Sequence, residues 1–206
     1  MTRIDLIRHG EPVGGRRYRG QLDDPLSERG WQQMRDALAG PCPWQFVVTS
    51  PLRRCREFAH RFAGDHGLPV RDEPRFREIG FGAWEGRRAD ELQKADPDCV
   101  SNFLRDPVKY RPADAEPLDS FAERVTSAWQ ELLQHFADRH VLVVAHAGVI
   151  RVITAQALGM PVANMFRLQV DNAAINRIHI DGDFPPRLVL HNGVLHNGAL
   201  HHGTPA

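Results

Sequence analysis

Short apolar runs alternate with amphipathic stretches along most of the chain. Three continuous apolar runs predict buried strands, at residues 3–8, 45–49 and 140–146. Three later segments alternate apolar and polar positions and predict strands near a sheet edge, at residues 164–170, 174–180 and 186–193. A shorter extended piece is expected at Val70. The chain thus carries enough strands for one substantial sheet.

Helical spacing of apolar residues predicts helices between these strands. Ser27 is a suitable N-cap for the first helix, and Ser50 with Pro51 predicts the start of the second. Residues 119–139 have the clearest single apolar face, and residues 149–160 form a further helical segment directly after a buried strand. Strands interleaved with helices favour a mostly parallel sheet that is covered on both faces.

The predicted fold class is therefore α/β, as one three-layer domain over residues 1–206. Residues 87–112 contain three prolines and weak periodicity, so we expect short helices and loops there and a candidate lid. The C-terminal tail reads as strand-like and is rich in histidine. The loop at 14–20, GGRRYRG, is a basic, glycine-hinged segment that could fold over an anionic substrate or form an ordinary surface loop.

The composition and charge of the chain argue against several classes of binding partner. Lys and Arg together number 26, as do Asp and Glu, and this balance argues against a nucleic-acid partner bound by bulk charge. No apolar run reaches the length of a membrane-spanning helix, and no N-terminal segment resembles a signal peptide. The three cysteines form no CxxC pair, which favours a reducing cytoplasm and no metal site. The oligomeric state is left open.

Candidate chemistry collects where the predicted strands end. Three strand ends carry charged or titratable side chains, namely Arg8-His9-Gly10, Ser50-Pro51-Leu52-Arg53-Arg54 and His146-Ala147-Gly148. Since ligands of open α/β sheets bind beyond the carboxyl ends of parallel strands, we expect these residues to meet. Two histidines with several arginines, at no metal-ligand spacing, indicate an oxyanion site. Each also has an ordinary alternative, as a hydrogen-bonded core histidine or an arginine on a solvated helix face.

Four blocks of sequence occur in the order LIRHGEP, SPLRRCREFA, REIGFGAWEG and VVAHAGVIR. Together they resemble the histidine phosphatase superfamily, which includes the cofactor-dependent phosphoglycerate mutases. The resemblance implies a phosphoglycerate mutase-like fold with His9 as the nucleophile. It also implies a phosphate held by Arg8, His146 and, by the S-x-L-x-R register, Arg54 rather than Arg53. Gly10 is expected to let the backbone approach closely because it lacks a Cβ.

The resemblance further implies that Glu78, in the third block, gives a proton to the leaving group. Glu11, Gln21 and Gly148, which lie in the resembling segments, are predicted to contact the substrate. Because a phosphate monoester dianion repels a nucleophile, cationic donors must spread its charge, and a protonated His146 is expected to contribute. A neutral imidazole is a competent nucleophile near neutral pH. The alternative for Glu78 is a structural ion pair with a nearby arginine.

The predicted function is a phosphomonoesterase that hydrolyses small phosphorylated metabolites through a phosphohistidine, without a cofactor or a metal. HAGVIR and GQLDDPLSERG look most like the α-ribazole phosphatase branch, so α-ribazole 5′-phosphate is one candidate substrate. The first alternative is a phosphoglycerate mutase-type phosphoryl transferase, which must exclude water from its phosphoenzyme. The second is a phosphate-binding relative without catalysis.

Overall fold

A computed structural model describes residues 1–196 and 199–201, and its centre is one mixed sheet. The strands are β1 (Thr2–Arg8), β2 (Phe46–Thr49), β3 (Val70–Asp72), β4 (His140–Ala145), β5 (Ile175–Ile180), β6 (Arg187–His196) and β7 (Ala199–His201). They are ordered β3-β2-β4-β1-β5-β6-β7. β3, β2, β4 and β1 pair in parallel, and β5, β6 and β7 continue the sheet through antiparallel pairs.

Helices cover both faces of this sheet. They are α1 (Glu28–Ala37), α2 (Arg53–His66), α3 (Ala89–Ala95), α4 (Cys99–Arg105), α5 (Leu118–His135) and α6 (Ala147–Ala157). Side chains of α1 and α2 pack on one face, and those of α5 and α6 pack on the other. The predicted three-layer α/β fold is confirmed. Within the described residues, no helix is both long and apolar enough to cross a membrane.

The helices form where sequence and burial agree. Ser27 Oγ accepts a hydrogen bond from Gly30 N at 3.0 Å, so Ser27 caps α1 as predicted. The apolar face of α5 is buried along its length, through Leu118, Phe121, Val125, Ala128, Trp129 and Leu132. Burial of each of the larger of these side chains is worth roughly 1.5–3 kcal/mol. α5 is therefore a rigid support for the segments that lie against it.

Parallel pairing brings three strand ends to one edge. Arg8 of β1 is paired with Ala145 of β4, and Thr49 of β2 is paired with Val144 of β4. The residues that follow these strands therefore lie side by side, at positions 9, 50 and 146. This edge carries the predicted chemistry.

Two predicted elements differ from the structure. Ser50 does not cap α2, because this helix begins at Arg53 after Leu52, and Ser50 turns its hydroxyl to His146 at 2.7 Å. Residues 164–170 were expected to be a strand, but residues Val162–Arg167 form a 3₁₀ helix. The apolar residues of this segment also fit a spacing of three, and that spacing turns Met165 fully into the core.

The remaining predictions concern the lid and the tail. Residues 87–112 contain α3 and α4, the short helices that were expected, and their action as a lid stays a prediction. The tail continues β6 as far as residue 196. Residues 197–198 and 202–206 of the histidine-rich tail lie outside the described residues.

A buried carboxylate ties the sheet together away from this edge. Asp5 of β1 has no exposed surface and accepts two hydrogen bonds from Arg177 of β5, at 2.6 and 2.7 Å. Trp44 Nε1 donates to it at 2.8 Å, and His140 Nε2 lies 3.0 Å away. Burial alone would raise the pKa of Asp5, but the hydrogen bonds from Arg177 and His140 outweigh it and the pKa is lowered.

Replacement of this carboxylate tests its contribution to stability. We expect Asp5→Asn to lower the free energy of unfolding by about 3–5 kcal/mol at neutral pH, because it leaves the Arg177 cation buried without its partner. A depressed pKa in the folded state stabilises only above the unfolded value of about 3.9, and this contribution is lost as the pH falls through the folded value. The difference between variant and wild type should therefore shrink below about pH 4.

Urea unfolding of both proteins across pH measures this difference. Asp72→Asn is the matched control, because Asp72 pairs with Arg56 and His60 but its side chain is 30% exposed. Such exposed pairs contribute about 0–1 kcal/mol. Equal losses in the two variants would contradict a special role for the buried group.

Candidate active site

His9 is the centre of the site. It follows β1, it is buried, and its Nδ1 lies 2.7 Å from the carbonyl oxygen of Gly10. Arg54 Nε donates to His9 Nε2 at 3.3 Å. Because a carbonyl only accepts and a guanidinium only donates, Nδ1 carries the hydrogen and Nε2 carries the lone pair. The structure thus presents one imidazole lone pair beside a cation.

The His9 imidazole is neutral. Burial lowers its pKa well below the usual value, and the nearby charges of Arg54 and Arg8 lower it further. A protonated imidazole has no lone pair to attack with. The same environment that disfavours a third positive charge therefore keeps His9 nucleophilic.

Backbone carbonyl groups of the loop before α1 hold the Arg54 side chain in place. It lies in the first turn of α2, it is 1% exposed, and it donates to the carbonyl oxygens of Leu22 and Gly20 at 2.6 and 2.8 Å. Arg53, by contrast, is exposed and pairs with Glu57. The S-x-L-x-R register had assigned Arg54 to the site, and the structure brings this arginine against His9.

Arg8 supplies a second, partly buried cation. Its Nη1 donates to Val170 O at 2.7 Å, and its buried Nε has no hydrogen-bond partner within the described part of the chain. Burial lowers the pKa of Arg8 to about 10, so it keeps its charge at neutral pH. Arg151, on α6, adds positive charge nearby. An oxyanion is the natural partner for the unused donor.

His146 completes the group at the edge of the sheet. Its ring centroid is 5.2 Å from that of His9, its Nε2 is 2.7 Å from Ser50 Oγ, and Cys55 Sγ lies 3.6 Å from the same nitrogen. Burial, followed by the charge of Arg54, lowers its pKa well below the usual value. The expectation of a protonated His146 is therefore wrong for this arrangement, since the surrounding cations already disfavour another charge.

Glu78 enters from a loop rather than from a strand. Its Oε1 accepts from Ile79 N at 3.0 Å, and its Oε2 accepts from Gly148 N at 3.1 Å. A Cβ at Gly148 would lie 2.2 Å from Glu78 Oε1, so only glycine leaves room for the carboxylate there. Arg75, a possible structural partner of Glu78, is occupied by Glu73 and other acceptors. The carboxylate thus reaches the first turn of α6.

Gln21 and Glu11, the two other residues that were predicted to contact the substrate, lie in different places relative to the site. Gln21 lies beside Glu78, since its Nε2 donates to Glu78 O at 3.4 Å, and its backbone N donates to Glu85 at 3.0 Å. Glu11 points elsewhere, because its carboxylate lies 3.6 Å from exposed Arg29. The structure thus brings Gln21, but not Glu11, to the other residues.

Gly10 has a different reason for lacking a side chain than the one expected. A Cβ at Gly10 would lie 2.2 Å from Gly30 O, in α1. The close approach is therefore between the His9 loop and α1, and it fixes the loop behind the nucleophile.

Sequence reasoning missed several supporting residues. Ser50 was assigned to a helix cap, yet it orients His146. Glu85 lies in the third resembling block and joins two segments, since its Oε1 accepts from the backbone N of Gln21 and of Phe81, each at 3.0 Å. The third block contains Glu85 as well as Glu78, and this second glutamate was the feature of the sequence that could have pointed to it. Arg124, on α5, contacts the Glu78 loop, and no motif pointed to it.

The arrangement suits phosphoryl transfer. A neutral imidazole lone pair lies beside the buried Arg54 guanidinium, a second guanidinium that can stabilise the charge of a phosphate comes from Arg8, and the Glu78 carboxylate is close enough to interact with Arg8.

Comparisons with known proteins agree with this chemistry. The chain is 31% identical to an adenosylcobalamin/alpha-ribazole phosphatase of Escherichia coli, over 92% of this chain and 96% of that protein. It is 33% identical to a glucosyl-3-phosphoglycerate phosphatase of Mycolicibacterium vanbaalenii, over 80% and 77%. The solved alpha-ribazole phosphatase of Shigella flexneri superposes with a TM-score of 0.78 at 31% identity, over 92% of this chain and 96% of that one. The family model of the histidine phosphatase superfamily (branch 1) matches residues 4–193, and the chain belongs to that superfamily.

Proposed function

We propose that this phosphatase hydrolyses small phosphorylated metabolites through a phosphohistidine formed on His9. The observation that carries the proposal is the 3.3 Å contact from Arg54 Nε to His9 Nε2, with Nδ1 bound to Gly10 O. This contact fixes the reactive nitrogen, keeps it unprotonated, and sets a cation beside the atom that attacks phosphorus.

The first step transfers the phosphoryl group to the protein. The His9 Nε2 lone pair forms a bond to phosphorus while the bond from phosphorus to the leaving oxygen breaks. Arg8 and Arg54 hold the phosphoryl oxygens as negative charge shifts towards the leaving group. Protonated Glu78 gives its proton to that oxygen, and an alcohol departs.

The second step returns the enzyme to its starting state. A water molecule gives a proton to the Glu78 carboxylate and attacks phosphorus, and the bond to His9 Nε2 breaks with its electron pair left on nitrogen. Inorganic phosphate leaves, His9 is again neutral, and Glu78 is again protonated. Arg8, Arg54 and His146 contact the same phosphoryl oxygens in both steps.

The substrate is the finer part of the proposal. α-Ribazole 5′-phosphate is our first candidate, because relatives named for it cover nearly the whole chain at about 31% identity. A relative of similar identity is named for glucosyl-3-phosphoglycerate, so the leaving group needs direct screening. Gln21, beside Glu78, is the substrate contact that the geometry favours, and Glu11 stays a prediction from the resemblance. A cytoplasmic location likewise stays a prediction.

Trapping the intermediate tests the nucleophile. With a substrate labelled in its phosphate, rapid quenching should trap label on the peptide that contains His9, in an alkali-stable and acid-labile bond. His9→Asn should lose the label and at least about 10³-fold in turnover. Activity should survive a chelator, because cationic side chains hold the phosphate. Persistent label that passes to a phosphoglycerate rather than to water would make the protein a mutase.

The role of Glu78 is tested with two classes of leaving group. We expect Glu78→Gln to lower kcat/KM for an alkyl phosphate by about 10²-fold or more, because an alkoxide needs a proton as it leaves. An aryl phosphate should lose less than about tenfold, since a phenolate leaves without help. Steady-state kinetics with both substrates measures this ratio, and equal losses would rule out Glu78 as the donor.

Gly148→Ala tests whether the carboxylate must lie against α6. The new Cβ would overlap Glu78 Oε1, so the carboxylate must move. We expect a loss of roughly 10²-fold on the alkyl phosphate and a smaller loss on the aryl one. Gly64→Ala is the control, because a Cβ at this position of α2 meets nothing within 4 Å. Unchanged alkyl kinetics in Gly148→Ala would contradict the observed packing.

A further inference from the structure

We infer that Arg124 and Glu116 form a positioning pair that holds the Glu78 loop, and the inference rests on the proposed role of Glu78 as proton donor. Neither residue contacts His9 or the other phosphate-site residues through any hydrogen bond within the described part of the chain. Their contacts go instead to the backbone on both sides of Glu78.

Arg124 uses all five of its N–H donors. Nη1 donates to the carbonyl oxygens of Arg75 and Arg77 at 2.6 and 2.8 Å, and Nη2 donates to that of Glu78 at 3.1 Å. The remaining two donors, on Nε and Nη2, bind the Glu116 carboxylate at 2.7 and 2.8 Å. One guanidinium therefore gathers three carbonyl groups from the segment that leads into Glu78.

Glu116 holds the other side of the same loop. Besides binding Arg124, its Oε2 accepts from Gly80 N at 3.1 Å. Its backbone N donates to Gly80 O at 2.9 Å. The pair thus brackets Glu78 from residue 75 to residue 80, and both partners are mostly buried, at 22% and 19% side-chain exposure.

This bracket matters because the Glu78 loop has no regular secondary structure of its own. Residues 77–81 lie between two short 3₁₀ helices, at Pro74–Phe76 and Gly82–Trp84. Strand pairing fixes the backbone of His9, whereas no strand or helix within the described ranges 1–196 and 199–201 contains Glu78. Arg124 projects from α5, whose buried face anchors it in the core, so α5 transmits its position to the proton donor.

Lysine cannot replace this arginine. Its ammonium has three donors at one point, whereas the five contacts of Arg124 are spread over a planar fork. Arg124→Lys should therefore keep the charge and still release carbonyl groups. The Arg124→Lys variant therefore distinguishes a geometric role of Arg124 from a purely electrostatic one.

The test compares leaving-group dependence in Glu78→Gln, Arg124→Gln and the double variant. We expect Arg124→Gln to lower kcat/KM for an alkyl phosphate by about 10²-fold, because a donor displaced by about 1 Å loses its alignment and kcat/KM reports the steps up to departure of the leaving group. The loss on an aryl phosphate should be less than about threefold, since that leaving group needs little protonation. In the double variant the alkyl loss should not exceed that of Glu78→Gln, because Arg124 acts through Glu78. Arg124→Lys should show the same selective loss.

Glu131→Gln is the matched control. Glu131 also lies on α5 and also binds an arginine of the neighbouring segment, Arg75, with two contacts of 2.7 Å. It is 57% exposed, and among the described residues its side chain forms hydrogen bonds only with Arg75 and none with residues 77–80. Its alkyl-to-aryl ratio should stay at the wild-type value. Urea unfolding of every variant identifies losses that come from stability.

The outcomes separate the two proposals. If Glu78→Gln affects alkyl and aryl phosphates equally, the proton-donor role fails. If Glu78→Gln separates them and Arg124→Gln affects both equally, only the positioning pair is wrong. Should Arg124→Gln not fold, Glu116→Gln carries the test, because it weakens the bracket while Arg124 keeps its carbonyl contacts. A selective alkyl loss there supports the pair, and an unchanged ratio overturns it.

Discussion

The arrangement of the other residues in the site depends on the hydrogen bond from Arg54 to His9 Nε2. A buried guanidinium beside an imidazole is stable only if the imidazole stays neutral and the cation finds other acceptors. Burial and the charges of Arg54 and Arg8 meet the first condition, because they lower the pKa of His9, and the carbonyl groups of Gly20 and Leu22 meet the second. Arg54, in the first turn of α2, therefore holds the loop before α1 in its observed conformation by binding these two carbonyl groups.

A second consequence is a local charge imbalance in a chain with no net charge. Arg8, Arg54 and Arg151 lie near two neutral histidines, and two carboxylates, Glu78 and Asp171, interact with the charges of both Arg8 and Arg151. In a site shielded from water such an excess is costly until a dianion enters. Binding of a phosphate is thus favoured by the relief of this imbalance, and the Nε of Arg8, which has no partner among the described residues, is a donor that is already in place.

The sequence allowed the nucleophile side to be predicted far better than the acid side. His9 and His146 follow apolar runs, and the parallel pairing of such runs brings their ends together. The choice of Arg54 over Arg53 came from resemblance, because both fit the same helix turn. The contacts of Arg124 left no pattern, since a side chain that binds distant carbonyl groups has no fixed spacing from them. Residues 164–170 were misassigned because their apolar spacing fits two periods.

The residues proposed for nucleophilic attack and the residue proposed for proton donation are therefore held in place by different kinds of structure. The nucleophile and its cations stand on strand ends and helix starts, which the pairing of β1, β2 and β4 makes rigid. Glu78, the proposed proton donor, stands on an irregular loop that is held by Arg124 from α5 and has room because position 148 is glycine. Under the proposed mechanism, changes that loosen this loop slow phosphoryl transfer from alkyl phosphates more than from aryl phosphates. The proposed mechanism therefore gives the loop an influence on which leaving groups are accepted, whereas the phosphate site is the part that every substrate shares.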